Sequence, residues 1–293
     1  MLDSAAAPDS RPVFHLDGAL LVPTGLATGP WYADSQHGSA MLGLLARAVE
    51  QFPAPGPVQV TRLTVDFMRA APLIPVSTPV RLLRRGRTTE VLETEITANG
   101  EVYARATAMR FRVADLPVTD EAPRYGLGRP MHLPSADEIP SADGLDRSEE
   151  DAFHMALEMR PNVGPEGPAI WFRMRNSLVA GEALTPTVRA AIVADWTYAV
   201  PIVHQALLGN EAQEERSLSP ISPINPDTSV NLHRPMEGEW VCLDAHVYYG
   251  DLGAGTAVAQ LFDERGPIGH SSQSLLIREG ERMPAAERER SRH

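Results

Sequence analysis

The sequence predicts an α+β protein assembled from two copies of one unit, each an antiparallel sheet curled around a helix. Three observations predict it: turn signals recur at matched distances from two similar strands, an apolar helical stretch precedes each strand set, and the runs between the turns alternate as strands do. A chain of 293 residues is long for one core and short for three, and 43% hydrophobic with 22% charged residues is a composition that folds.

The repeat is anchored on two segments, TVDFMR at 64–69 and SVNLHRP at 229–235, each ending in an arginine close to a proline. From Arg69 the next turn glycine, Gly86, lies 86 − 69 = 17 residues on, and from Arg234 Gly250 lies 250 − 234 = 16 on. The turns at Asn99-Gly100 and Arg265-Gly266 follow at 100 − 69 = 31 and 266 − 234 = 32. Strands are therefore expected over 60–69, 79–98 with a break near its glycine, and 101–113. Their counterparts are 228–235, 239–262 and 267–278.

The helix of the first copy spans 39–52, with Met41, Leu44, Leu45, Ala48 and Phe52 at helical spacing and Pro53 after it; Ser39 is the expected N-cap. The second copy has an almost wholly apolar stretch over 186–209 with Pro201 inside, read as a kinked helix or two in succession. Asp195 within it needs a partner, and is read first as a cap on a neighbouring backbone group and second as a pocket residue. Further strands are expected at 14–22 and 169–178, the latter paired with 152–160. One helix per sheet leaves the sheet no other cover, so it must curl around that helix, and the two sheets can join edge to edge into one continuous sheet. The expected division is a first unit at 1–118, a linker at 119–150 rich in Pro, Asp, Glu and Ser, a second unit at 151–280, and a frayed tail at 281–293.

A net charge of −12 argues against nucleic acid or anionic membrane as partner, since both require a cationic field. The single cysteine, Cys242, excludes an internal disulfide and Cys-based metal centres. The opening residues lack a basic stretch followed by an apolar one, and no window approaches the ~18 apolar residues of a membrane span, so a cytoplasmic protein is expected. No GxSxG, Walker, GxGxxG or HExxH pattern is present, and no cofactor is expected.

The ordered segments Gln36-His37-Gly38-Ser39-Ala40, LTVDFMRAAP, LLRRGRTTEVLETEI and NGEVYARATAMRF in the first half, with Ala194-Asp195-Trp196, NPDTSVNLHRPMEGEW, GAGTAVAQLFDERGPIG and SSQSLLIR in the second, resemble the TesB-like acyl-CoA thioesterase superfamily, particularly its actinobacterial branch. The resemblance implies a double hotdog fold, an acyl-CoA substrate and a homodimer. It also implies a catalytic water held by an aspartate at the start of the strand leading into the second arginine-proline segment, a hydroxyl in the following strand, and a glutamine in the last. Asp227 and Gln273 stand at the aspartate and glutamine positions, and Tyr249 stands where the hydroxyl is expected.

The residues allow that chemistry. Asp227 can serve as base if burial raises its pKa, with Gln273 orienting the same water, although Asn225-Pro226-Asp227-Thr228 also reads as a plain turn. His37 and Gly38 open the first helix, where unpaired N–H groups favour a developing oxyanion and a glycine admits close approach; His37 also reads as a packing residue. Arg84, Arg85 and Arg87 around Gly86 suit the phosphates of coenzyme A, or form a solvated turn. Two functions follow: hydrolysis of a fatty or related acyl-CoA by Asp-activated water, or a non-catalytic module holding an acyl-CoA or other hydrophobic ligand, the latter motivated by tyrosine at the hydroxyl position.

Overall fold

The computed structural model describes residues 11–30, 32, 34–114, 133–142, 151–162, 167–208 and 221–279. Along the chain these form β1 (Phe14–Asp17), β2 (Leu20–Pro23), α1 (Gly38–Gln51), β3 (Val58–Phe67), β4 (Val80–Arg85), β5 (Thr89–Ala98) and β6 (Glu101–Arg112). The second half supplies β7 (Leu157–Asn162), β8 (Ala169–Met174), α2 (Pro186–Ala194), α3 (Ala199–Leu208), β9 (Ile221–Ile224), β10 (Asp227–Leu232), β11 (Val241–Tyr249), β12 (Ala254–Asp263) and β13 (Gly266–Glu279).

Apart from the β1–β2 hairpin, all strands join one antiparallel sheet in the order β4-β5-β6-β3-β10-β13-β12-β11-β8-β7, with β9 also paired to β13. The halves meet where β3 pairs with β10, in a register that places Thr64 opposite Ser229. These two residues are equivalents in the sequence repeat, because 229 − 64 = 165 is also the separation of the anchors, 234 − 69. A pseudo-twofold axis therefore passes between them, and the Ser229 hydroxyl donates to Thr64 Oγ1 across it at 3.1 Å. The fold is the double hotdog expected from the sequence.

The α1 helix lies on the concave face, and Leu42, Leu44 and Leu45 in it are inaccessible to solvent. Enclosing each such side chain contributes roughly 1.5–3 kcal/mol. Its antiparallel neighbour is α2, and Gly43 is what lets them touch: a Cβ there would meet Ile192 at 2.8 Å and Leu178 at 2.9 Å. The 186–209 stretch is two helices, broken over 195–198. Pro201 explains the break, because its ring would clash with the Thr197 carbonyl of a continuous helix yet fits in the first turn of α3, where its missing N–H is not required.

Three local expectations change. The 14–22 run folds back on itself at Gly18, whose φ of +60° supplies the turn, so it forms its own small sheet rather than a strand of the main one. The N-cap of α1 is His37, not Ser39: its Nδ1 accepts the Ser39 N–H at 3.0 Å. Within the expected linker, residues 133–142 lie against the outer face of the second half, where Leu133, Ala136 and Ile139 pack with Trp171, Trp240 and Phe262. The expected tail at 281–293 and the rest of the linker fall outside the described residues.

Candidate active site

Where α1 begins, α2 ends and β10 runs beside β13, four elements bring buried polar groups together. Asp195 is the C-cap of α2 and is only 5% exposed. Its Oδ2 accepts the Ser39 hydroxyl at 3.0 Å, and its Oδ1 accepts Asn225 Nδ2 at 3.0 Å and the Thr228 hydroxyl at 3.4 Å. Burial pushes this carboxyl up to about 6, against the opposing effect of those donors. Gly38 makes the approach to α1 possible, since a Cβ there would lie 2.6 Å from Asp195 Oδ2.

Gln273 fixes this arrangement. Extending the β10–β13 register one step beyond Ser229↔Ser272 places Thr228 directly opposite Gln273, on the inward face. Gln273 Nε2 donates to Thr228 Oγ1 and to the Asp195 carbonyl, both at 2.9 Å, and its Oε1 accepts the Tyr198 N–H at 2.9 Å. Both amide hydrogens are thus spent on protein, so Gln273 positions Thr228 and the 195–198 turn instead of presenting its amide N–H to water. Thr197 pins the same turn by its 2.5 Å hydroxyl contact with Ser271 on β13.

His37 stacks between Phe153 and Trp196, with ring centroids 5.0 and 5.4 Å away. Burial, aided by the nearby His154, lowers its pKa to about 3, so the ring is neutral. Its Nδ1 lies 3.5 Å from Asp195 Oδ2 but already accepts from Ser39, which leaves the proton on Nε2. The pair is therefore no salt bridge; a lone pair facing the carboxylate adds to the reasons for Asp195 to hold its proton.

The structure does not bring Asp227 into this cluster. Adjacent strand residues face opposite ways, so Thr228 points inward and Asp227 outward, where its Oδ1 accepts the Ser274 N–H at 2.7 Å. Tyr249 is on the inward side but two strands from Gln273, through Gln273↔Ala257 and then β11, and one pleat further along where it pairs with Gly255. At ~4.8 Å per strand it stands about 10 Å or more away, half-exposed; the hydroxyl that meets Asp195 and Gln273 is that of Thr228. Arg84 near the end of β4 and Arg87 in the β4–β5 turn are exposed, and Arg85 between them donates to the Pro53 carbonyl past the far end of α1. Fourteen helical residues span about 21 Å, which separates these arginines from the helix start. Of the residues singled out from sequence for catalysis or binding, Gln273, His37 and Gly38 meet at one place and Asp227, Tyr249, Arg84 and Arg87 do not. Sequence reasoning missed Thr228 and undervalued Asp195, whose signal was a lone carboxylate in an apolar helix. No group of three metal-ligating side chains occurs among the described residues, and no helix among them is long and apolar enough to cross a membrane.

A sheet wrapped on helices, with a buried carboxylate of raised pKa at a helix start, defines a double hotdog protein with a polar cluster at the start of α1. Residues 27–111 match the model of the acyl-CoA thioesterase N-terminal domain and residues 129–277 that of the C-terminal domain. The chain belongs to the acyl-CoA thioesterase family, which supports a hydrolase acting on thioesters. Among solved structures it is similar to a candidate thioesterase from Novosphingobium aromaticivorans, at 20% identity and a TM-score of 0.66 over 92% of this chain and 100% of that one. It is also similar to a hot dog fold protein from Alicyclobacillus acidocaldarius (13% identity, TM-score 0.62, 90% and 95% covered). A third is the acyl-CoA thioesterase II TesB2 of Mycobacterium marinum (16%, 0.56, 88% and 98%). No curated protein matches the sequence.

Proposed function

We propose that the protein hydrolyses a fatty or related acyl-CoA with Asp195 as the base. The observation that carries this reading is a buried carboxyl held at about 6 and hydrogen-bonded to Thr228, itself fixed by Gln273, at the start of α1. A base poised there is ionised in most molecules at pH 7 and can still return a proton.

In the reaction, a water that displaces the long Thr228 contact gives a proton to Asp195 as its oxygen bonds to the acyl carbon. The carbonyl oxygen takes the negative charge beside the first N–H groups of α1, and His37 Nε2–H is a second donor of suitable chemistry. Collapse breaks the carbon–sulfur bond. The thiolate, whose conjugate acid is far weaker than the Asp195 carboxyl, takes the proton from Asp195 and leaves as coenzyme A. Gln273 and Asn225 are positioning residues. The solvent-exposed arginines at 84 and 87 retain a place only as contacts for a distant part of coenzyme A, and a cytoplasmic homodimer remains the expected setting.

The test is thiol release from short, medium, long and aromatic acyl-CoAs as a function of pH. Turnover of at least one class should rise with pH to a plateau, with an apparent pKa near 6 that vanishes in Asp195→Asn. Absence of turnover across the panel, or an identical profile in the variant, contradicts the assignment.

A further inference from the structure

The pseudo-twofold axis generates a second location with the geometry of the candidate active site. The repeat offset of 165 carries Thr228 onto Leu63 (228 − 63 = 165) and Gln273 onto Ala108 (273 − 108 = 165). These two pair across β3 and β6 as Thr228 and Gln273 do across β10 and β13. The helix ends match as well: the C-cap of α1 is Phe52 where that of α2 is Asp195, and the N-cap of α2 is Thr185 where that of α1 is His37. Every group assigned to the water is replaced by an apolar side chain, and the counterpart cannot hydrolyse anything.

A cleft of about 350 Å³ nevertheless opens beside that counterpart, between the C-terminal half of α1, the start of α2 and β3, with Thr185 in its lining. A space of this size falls in the range of small-molecule sites. Val58, Val60, Leu178, Leu184 and Val188 form its apolar wall, and the Arg47–Glu182 ion pair stands at its polar side. Arg110, fully buried and bound to the Val49 and Phe52 carbonyls and to Glu90, props that end of α1 against the sheet. Between this cleft and Asp195 the two helices come together at Gly43, where a side chain would meet Ile192 and Leu178.

We propose that this cleft is a second, non-hydrolytic binding site for an aliphatic carboxylic acid. The wall suits a hydrocarbon chain, and Arg47, only 15% exposed, gives Nε and Nη2 to Glu182 and can turn Nη1 on the ligand carboxylate. A single carboxylate brings less negative charge beside Glu50 and Glu182 than a polyphosphate would. That the acid is the product of the hydrolysis rests on the function proposed above; the cleft and its chemistry do not.

Calorimetric titration of the full-length protein with sodium octanoate tests this, alongside hydrolysis of octanoyl-CoA by the same samples. Two separate substitutions fill the cleft, Leu184→Trp and Val60→Phe, neither in the Asp195 cluster. The wild type should bind octanoate saturably; both variants should lose that class of sites, weakened at least tenfold, while thiol release stays within twofold of wild type. No saturable binding by the wild type, unchanged binding in both folded variants, or thiol release falling in step with binding overturns the proposal. A wild type that binds octanoate but cleaves no acyl-CoA contradicts the proposed function and leaves this site standing.

Discussion

Replacing Asp195 with asparagine should stabilise the protein while removing its base. Asparagine keeps an acceptor for Asn225 and Thr228 and a group of the same size facing Ser39, but carries no charge to bury. The folded protein holds this carboxyl at about 6 against an ordinary 3.8. At about 1.36 kcal/mol per pH unit, that difference amounts to about 3 kcal/mol of lost stability once the group is ionised in both states. A raised carboxyl pKa means the folded state holds the proton more tightly, so stability falls as pH rises from 3.8 through 6. His37 acts in the opposite direction: with its pKa lowered to about 3, the unfolded chain takes up a proton that the folded protein refuses, and stability falls as pH drops below 6.5. Between about pH 4 and 6 the two effects cancel, one proton residing on Asp195 when folded and on His37 when unfolded. Thermal melts of wild type and Asp195→Asn from pH 4 to 8 measure the difference directly. The variant should be more stable by about 1–3 kcal/mol at pH 8, with the advantage shrinking toward zero near pH 4. A variant less stable at pH 8, or an advantage independent of pH, refutes this account of the carboxyl.

Gly38→Ala should lower both turnover and stability, because the new methyl meets Asp195 Oδ2 at 2.6 Å; a loss of roughly 1–3 kcal/mol in chemical denaturation is expected. Thr228→Val and Gln273→Ala should each reduce kcat by about 10²-fold with little change in KM, read from steady-state thiol release, since Thr228 meets the reacting water and Gln273 holds Thr228 in place, and neither touches the acyl chain. Asp227→Ala loses only the acceptor for the Ser274 N–H, so its cost in thermal stability should be about 1 kcal/mol, with kcat within a few-fold of wild type. A Tyr249→Phe protein should hydrolyse acyl-CoA at the wild-type rate in the same assay.

Much of the fold was legible because a duplicated unit repeats its own punctuation. The offset of 165 residues between Arg69 and Arg234 names the pair, Thr64 and Ser229, that meets on the pseudo-twofold axis. The repeat faded where the local chain differed: Gly18 turns 14–22 back on itself, whereas the equivalent strand around Trp171 joins the main sheet. The site was legible only in part, because strand alternation makes a one-residue choice decisive. Asp227 and Thr228 are neighbours in a turn-like tetrapeptide, and only the register against Gln273 tells which one faces inward. Asp195 was visible as a misplaced charge, but its partners come from Ser39, Asn225 and Thr228, which no local pattern joins. Tyr249 follows Asp227 by one strand in sequence, but β13 and β12 lie between its strand, β11, and β10 in the sheet.

The most direct measurement is a comparison of kcat for one good acyl-CoA substrate across wild type, Asp195→Asn and Asp227→Asn at pH 7.5. If Asp195 activates the water, its amide variant loses at least about 10³-fold while the Asp227 variant keeps most of its rate. Full activity in Asp195→Asn, or the larger loss in Asp227→Asn, would place the base on the outward face of β10 and contradict the account.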